Sequence, residues 1–278
     1  MTATVDRRPP VPVAELKRAW HAVQAGQFRV SVRGRSAEDQ PQRARIAPSW
    51  TPNADEQVLP VVRCASAYGA TTFALALASA ANSGARVVEC SSATSSGLAA
   101  ASTAELGVHP SGWAQGTRGE VLLQRTSGAL ASVHDVPLLP AAEKTTLTVL
   151  DVGWELGHVL NTPTWVAAQV RQAAAVVVVV TCATVPGLRH LEGALALLDG
   201  TRPVVGVVGP PRRQWPKAVR HGAGALTRAA DSAGRLLVVP RDRRLAVAGL
   251  DSTPLPTAVL EAAATALEQV DLIIKGKR

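Results

Sequence analysis

From residue 58 onward, short continuous apolar runs alternate with Ala-rich stretches of helical spacing. Residues 58–65 read as a buried strand that ends in a turn of small residues, followed by a helix over 71–83 that Gly84 closes. Residues 85–90 and 146–152 read as further strands, the latter carrying Asp151 near its carboxyl end. A helix over 163–173 leads into a strand over 174–182, whose five consecutive valines demand burial on both faces. Two more strands fall at 204–208 and 236–239. Continuous β-branched runs separated by helices mark a parallel sheet covered on both sides. The pattern predicts a doubly wound α/β fold with a mostly parallel sheet and helices on both faces. In such sheets ligands bind at the carboxyl ends of the strands.

Residues 1–55 have a different texture. Pro9, Pro10, Pro12, Pro41, Pro48 and Pro52 punctuate them, with Arg33, Arg35, Arg43 and Arg45 between, and helical spacing is confined to 13–24, where Leu16, Trp20 and Val23 share a face. This reads as a mobile, basic, Pro-rich arm with one short helix, ahead of an α/β domain over 56–278.

Composition sharpens the class. With 278 residues, 47% of them hydrophobic and 18% charged, the chain can bury a sizeable core, and wholesale disorder is excluded. Aromatics make up 3% and six of them are Trp, so the core must be aliphatic, with Trp113, Trp154, Trp165 and Trp215 as plugs or, for Trp154 and Trp215, as partner-facing anchors. Cys64, Cys90 and Cys182 are odd in number, far apart and beside apolar runs, which reads as small buried hydrophobes, not a disulfide frame. His109, His134, His158, His190 and His221 show no metal-ligand spacing, so no metal site is expected. The first thirteen residues lack an apolar secretory segment and the run at 173–180 is too short to span a bilayer, so a cytoplasmic location is expected.

The formal charge of +8 is unevenly placed. Residues 1–50 carry nine basic and four acidic side chains, while 202–244 carry ten and two. Within the second stretch, Arg212, Arg213, Lys217, Arg220, Arg228, Arg241, Arg243 and Arg244 make a candidate polyanion patch, partly on a surface helix that starts at Pro216 and is loosened by Gly222 and Gly224. Its alternatives are DNA, an acidic partner or a solvated face.

The first strand–turn–helix is where a phosphate-binding loop would sit. Such a loop needs small residues that turn backbone N–H groups inward, a Lys for the β and γ phosphates, and a Ser or Thr for Mg²⁺. Ser66, Ala67, Tyr68, Gly69, Ala70, Thr71 and Thr72 occupy the place; Gly69 supplies the turn and Thr71-Thr72 the hydroxyls, but Ala70 stands where the Lys should be.

Over residues 58–270 the chain resembles the MinD/ParA family of deviant-Walker NTPases of the SIMIBI class. The family loop Lys-Gly-Gly-x-Gly-Lys-Thr-Thr aligns with residues 65–72, so both lysines become alanine (Ala65, Ala70) and two glycines become Ser66 and Ala67. In the family's switch segment one carboxylate survives as Glu89 and the other is Ser91; Asp151 resembles the Walker B aspartate. Gly209-Pro210-Pro211 replaces a common base-reading Asn, and Pro240-Arg241-Asp242 resembles the late Pro-x-Asp segment beside the adenine.

The resemblance implies ATP with Mg²⁺ as ligands, Thr71, Glu89 and Asp151 as Mg²⁺ or switch residues, and Pro240 and Asp242 on the base side. Loss of both lysines removes cationic contacts worth on the order of 3 kcal/mol each in phosphoryl transfer. The expectation is a pseudo-NTPase that positions or adapts a larger apparatus, such as a pilus, secretion, conjugation or partition machine, with degenerate TadZ/CpaE-type members as precedent. A protein partner is expected and a homodimer is consistent with the family. DNA would be met through the basic patch, and the short terminal run at 272–278 argues against a membrane anchor. One alternative is a slow or partner-activated ATPase cycling between monomer and dimer on DNA or membrane. Another is a nucleotide-independent, non-specific DNA-binding protein. With no lysine left in the loop, the positive charge is assigned to a surface partner.

Overall fold

A computed structural model describes residues 49–65, 69–81, 84–92, 94–95, 97–142, 144–172 and 176–276. The expected helix at 13–24, nearly all of the arm, and loop residues Ser66, Ala67 and Tyr68 lie outside the described residues.

The elements run β1 (Gln57–Arg63), α1 (Ala70–Ala80), β2 (Ala85–Cys90), β3 (Ala104–Val108), β4 (Trp113–Arg118), β5 (Val121–Thr126), β6 (Leu147–Val152), α2 (Leu156–Asn161), α3 (Trp165–Arg171), β7 (Val178–Cys182), α4 (Val185–Leu197), β8 (Val204–Gly209), α5 (Lys217–His221), α6 (Ala225–Ser232), β9 (Leu236–Pro240), α7 (Arg243–Ala248) and α8 (Thr257–Lys275). Among the described residues, nine strands join one sheet in the order β3-β4-β5-β2-β6-β1-β7-β8-β9. The strands from β5 to β9 in that order are mutually parallel, and β4 runs antiparallel to both its neighbours. The α/β class read from the apolar runs is the class observed.

Both faces of the sheet are covered, which is why its central strands tolerate no alternation. On one face Leu59, Val61, Val87 and Val149 pack under α1 and α8. Helix α8 presents Val259, Ala263, Ala266, Val270 and Ile273 at helical spacing, so its apolar stripe is buried in the fold. On the other face Val62, Leu150 and Val179 pack with Trp113, Trp165 and Trp215 beneath α2 to α6. No described helix is long and apolar enough to cross a membrane.

Three departures from the sequence expectations have local causes. The antiparallel end of the sheet, β3-β4-β5, contains Gly107 and Gly116 and many polar residues, β3 is an exposed edge, and only the short run Val121-Leu122-Leu123 of β5 is apolar, so no long apolar run announces them. The basic surface helix is two helices, because α5 ends at Gly222 and α6 starts after Gly224. The valine strand, expected over 174–182, is Val178–Cys182, and its pairing with β1 begins at Val178. At the turn before β2, Gly84 has φ +56°, and a Cβ there would lie 2.3 Å from the Lys144 carbonyl oxygen.

One charged pair is buried in the sheet. Arg86, with no exposure, reaches Glu56 at 2.6 Å, Thr148 Oγ1 at 2.6 Å and the Pro140 carbonyl at 3.1 Å, and its guanidinium lies 5.6 Å from the Trp50 ring centroid. Trp50 in turn meets Trp165 edge-on at 5.6 Å. A buried guanidinium requires this density of acceptors.

Candidate functional site

Strand register gathers the candidate residues. Glu89 of β2 pairs with Asp151 of β6, and Asp151 pairs with Val61 of β1. Paired residues in a sheet share a face and residues two apart share it again. Glu89, Ser91, Asp151 and Arg63 therefore project toward α1 at the carboxyl ends of adjacent strands. The connection leaving β1 runs toward β2 and the one leaving β7 runs toward β8, in opposite directions along the sheet, so a crevice opens between them.

A cavity of about 780 Å³ fills that crevice. Its floor is the start of α1, where Gly69 at φ +80° turns the chain into Ala70, Thr71 and Thr72. Thr184 and Pro210, from the ends of β7 and β8, form one wall, and Pro240, Arg241 and Asp242, after β9, form another. The sequence-predicted loop start and base-side residues thus border one space, 170 positions apart in the chain. Ala70 is buried, leaving a methyl where a lysine would reach in. Asp242 also caps α7, accepting from the Leu245 N–H at 2.8 Å.

Asp151 lies beneath this floor and is 1% exposed. Burial pushes its carboxyl up from 3.8 to about 7, and the Glu89 charge adds to the rise. The nearby Thr71 hydroxyl and the Arg63 charge pull the other way. Among the described residues, its Oδ2 and the Ser91 Oγ have no hydrogen-bond partner. Glu89 accepts from the backbone N–H groups of Gly97 and Leu98 at 2.7 and 2.9 Å, so this carboxylate anchors the segment after β2. Burial raises the thiols of Cys64, to about 12, and of Cys90, so neither is a nucleophile at neutral pH.

The cavity also contains cations that the sequence reading missed. Arg63, the last residue of β1, lines it half-buried and donates from Nη2 to Ser95 Oγ at 2.8 Å. Burial lowers the pKa of its guanidinium, and the Asp151 charge opposes that shift. A lone charge closing an apolar strand, Val61-Val62-Arg63, was the available signal. Arg241, counted with the surface patch, lines the same cavity. The turn into α1 carries no lysine, but Arg63 and Arg241 bring positive charge to the space above it.

The remaining patch divides. Arg212 forms a two-pronged pair with Asp231 at 2.5 and 2.9 Å and stacks on Trp215. Arg244 is held by Asp251 and the Pro254 carbonyl, and Arg228 donates to the Ala223 carbonyl. Arg213, Lys217 and Arg220 are exposed along one short segment, with no ion-pair partner among the described residues, and Arg243 is exposed beside the cavity mouth. Trp215 is buried, its Nε1 donating to the Pro210 carbonyl at 2.8 Å, so it is a plug and not an anchor; Trp154 is half-buried against His158. A second cleft of about 610 Å³ borders Arg118, whose guanidinium is already engaged by the carbonyls of Ala101, Asp251 and Thr253. Among the described residues, no group of three or more His, Cys, Asp or Glu is placed to hold a metal ion.

No protein-family model matches the chain, and no curated protein matches it. Among solved structures, it is similar to a ParA family ATPase from Chlorobium tepidum TLS at 12% identity, over 76% of this chain and 99% of that one, with a TM-score of 0.48. It is similar to apo McdA of Cyanthece at 14% identity, over 77% and 99%, with a TM-score of 0.48. It is also similar to the cell division ATPase MinD of Pyrococcus furiosus at 13% identity, over 78% and 99%, with a TM-score of 0.45.

Proposed function

We propose that this chain is a MinD/ParA-like pseudo-NTPase, which keeps a nucleotide site at the crevice between β1 and β7 and has given up efficient hydrolysis. It acts as a positioning or adaptor subunit of a larger apparatus, of the pilus, secretion, conjugation or partition kind. The observation that carries the reading is the floor of the cavity, where Thr71 meets the buried Asp151 while the adjoining lysine position is the buried methyl of Ala70. The helix start and hydroxyl that receive a phosphate are retained. The lysine that stabilises charge on a transferring phosphoryl group is absent, and such a contact is worth about a hundredfold or more in rate. Thr71 and Asp151 occupy the positions from which a working NTPase of this kind would hold Mg²⁺ to neutralise phosphate charge. Pro240 and Asp242 flank the end of the cavity where a base would lie.

Calorimetric titration with nucleotide tests this, beside Thr71→Ala. The expected result is binding that weakens in the variant, with no phosphate release above background. Steady hydrolysis by the purified protein without partners would overturn the pseudo-enzyme reading and favour the partner-activated ATPase.

A second reading, non-specific DNA binding, is supported by the exposed row Arg213, Lys217 and Arg220. If it holds, replacing the three by Ala lowers the slope of log affinity against log salt, whereas replacing the paired Arg212 or Arg244 changes it less.

A further inference from the structure

We infer that Arg63 takes the place of the missing loop lysine and of a divalent cation, so that the cavity receives the polyphosphate of a nucleotide as the metal-free anion. This rests on the nucleotide reading above and adds to it which group grips the phosphates and in what ionic form they bind.

Three features of the cavity lead there. First, the guanidinium of Arg63 lines the cavity from the end of β1, within electrostatic reach of Asp151 and hydrogen-bonded to Ser95. Among the described residues Ser95 takes one of the five N–H donors of a planar fork suited to phosphate oxygens. Second, the groups that would hold a divalent ion are otherwise engaged or changed. Glu89 is bound to two backbone N–H groups, the second switch carboxylate is Ser91, and Asp151 is buried between the Thr71 hydroxyl and the Arg63 charge. A dication beside that guanidinium would meet a like charge at short range in a poorly screened site. Third, Arg241 lines the opposite wall of the same space, so the cavity offers positive charge on two sides where the loop offers none.

The mechanical consequence is a static grip. Arg63 projects from a strand end buried in the sheet, fixed by register to β6 and β7, and not from a loop that rearranges with the phosphate. Such a site holds nucleotide as a structural ligand and does not organise an attacking water.

The test is titration of the full-length chain with ATP, in chelator and again with Mg²⁺, for wild type, Arg63→Ala and Arg63→Lys, with thermal melting as a control on folding. Inorganic triphosphate serves as a competitor. The expected result is wild-type binding that survives chelation, is displaced by triphosphate, and weakens about tenfold or more in Arg63→Ala with partial recovery in Arg63→Lys. Binding that needs Mg²⁺ and is indifferent to Arg63→Ala would overturn this inference and leave the nucleotide site standing. Binding that triphosphate cannot displace would overturn it as well. Absence of nucleotide binding in either condition would remove the nucleotide reading itself, and this inference with it.

Discussion

Replacing Asp151 by Asn keeps the shape of the side chain and removes a charge from a position with 1% exposure. The carboxyl there is held at about 7, against 3.8 ordinarily, with burial as the main cause. The folded state therefore holds the proton more tightly than the unfolded chain. Its contribution is fully present below the ordinary value and is lost as pH rises through about 7. Each tenfold change in proton affinity corresponds to about 1.4 kcal/mol, so ionised Asp151 destabilises the fold by on the order of 4 kcal/mol at pH 8. Asp151→Asn is expected to recover most of this at pH 8 and about 2 kcal/mol at pH 5, where the wild-type carboxyl is already protonated in the fold. Urea unfolding followed by Trp fluorescence at the two pH values reads the difference as a shift in midpoint at constant slope. An equal shift at both pH values, or none at pH 8, would refute the claim that burial dominates. Destabilisation confined to pH 8 would instead show that Arg63 compensates the ionised carboxylate in place.

Glu56→Gln or Arg86→Met alone should destabilise the chain by about 3–5 kcal/mol in urea unfolding, because each leaves a buried charge unpaired, whereas the double variant should recover a large part of the loss. Trp215→Ala should lower stability by about 3–5 kcal/mol, as expected of a buried plug; an unchanged melting temperature would return it to the role of a partner anchor. Gly84→Ala should destabilise by about 1–3 kcal/mol, since it strains a left-handed turn and drives a Cβ against the Lys144 carbonyl, and thermal melting would reveal it.

The sheet and its crevice were legible because burial on both faces writes itself as unbroken apolar runs. Strands β1, β2, β6, β8 and β9 fell close to where those runs lay, and Thr71 and Asp151 were found from the helix start and strand end they occupy. Strands β3 and β4 were not legible, since an exposed edge and the glycine-bearing strand beside it have no reason to be apolar, and β5 offers only the short run Val121-Leu122-Leu123. The basic patch was legible as a charge excess, but not as a surface. Linear spacing cannot reveal that Arg212 and Arg244 meet Asp231 and Asp251 or that Arg241 faces a cavity.

The sequence alone determined the covalent inventory of the candidate site: a helix start with Gly69, Thr71 and Thr72, an aspartate near the end of a buried strand, and alanines, not lysines, at Ala65 and Ala70. Tertiary structure decided what that inventory amounts to. Parallel register places Arg63, Asp151 and Glu89 on one face of three adjacent strands. Burial there pushes the Asp151 carboxyl up, and strand order carries Arg241 across the sheet to the far wall. Charge and proton affinity depend on distance and on exclusion of water, and neither is a property of neighbours along the chain.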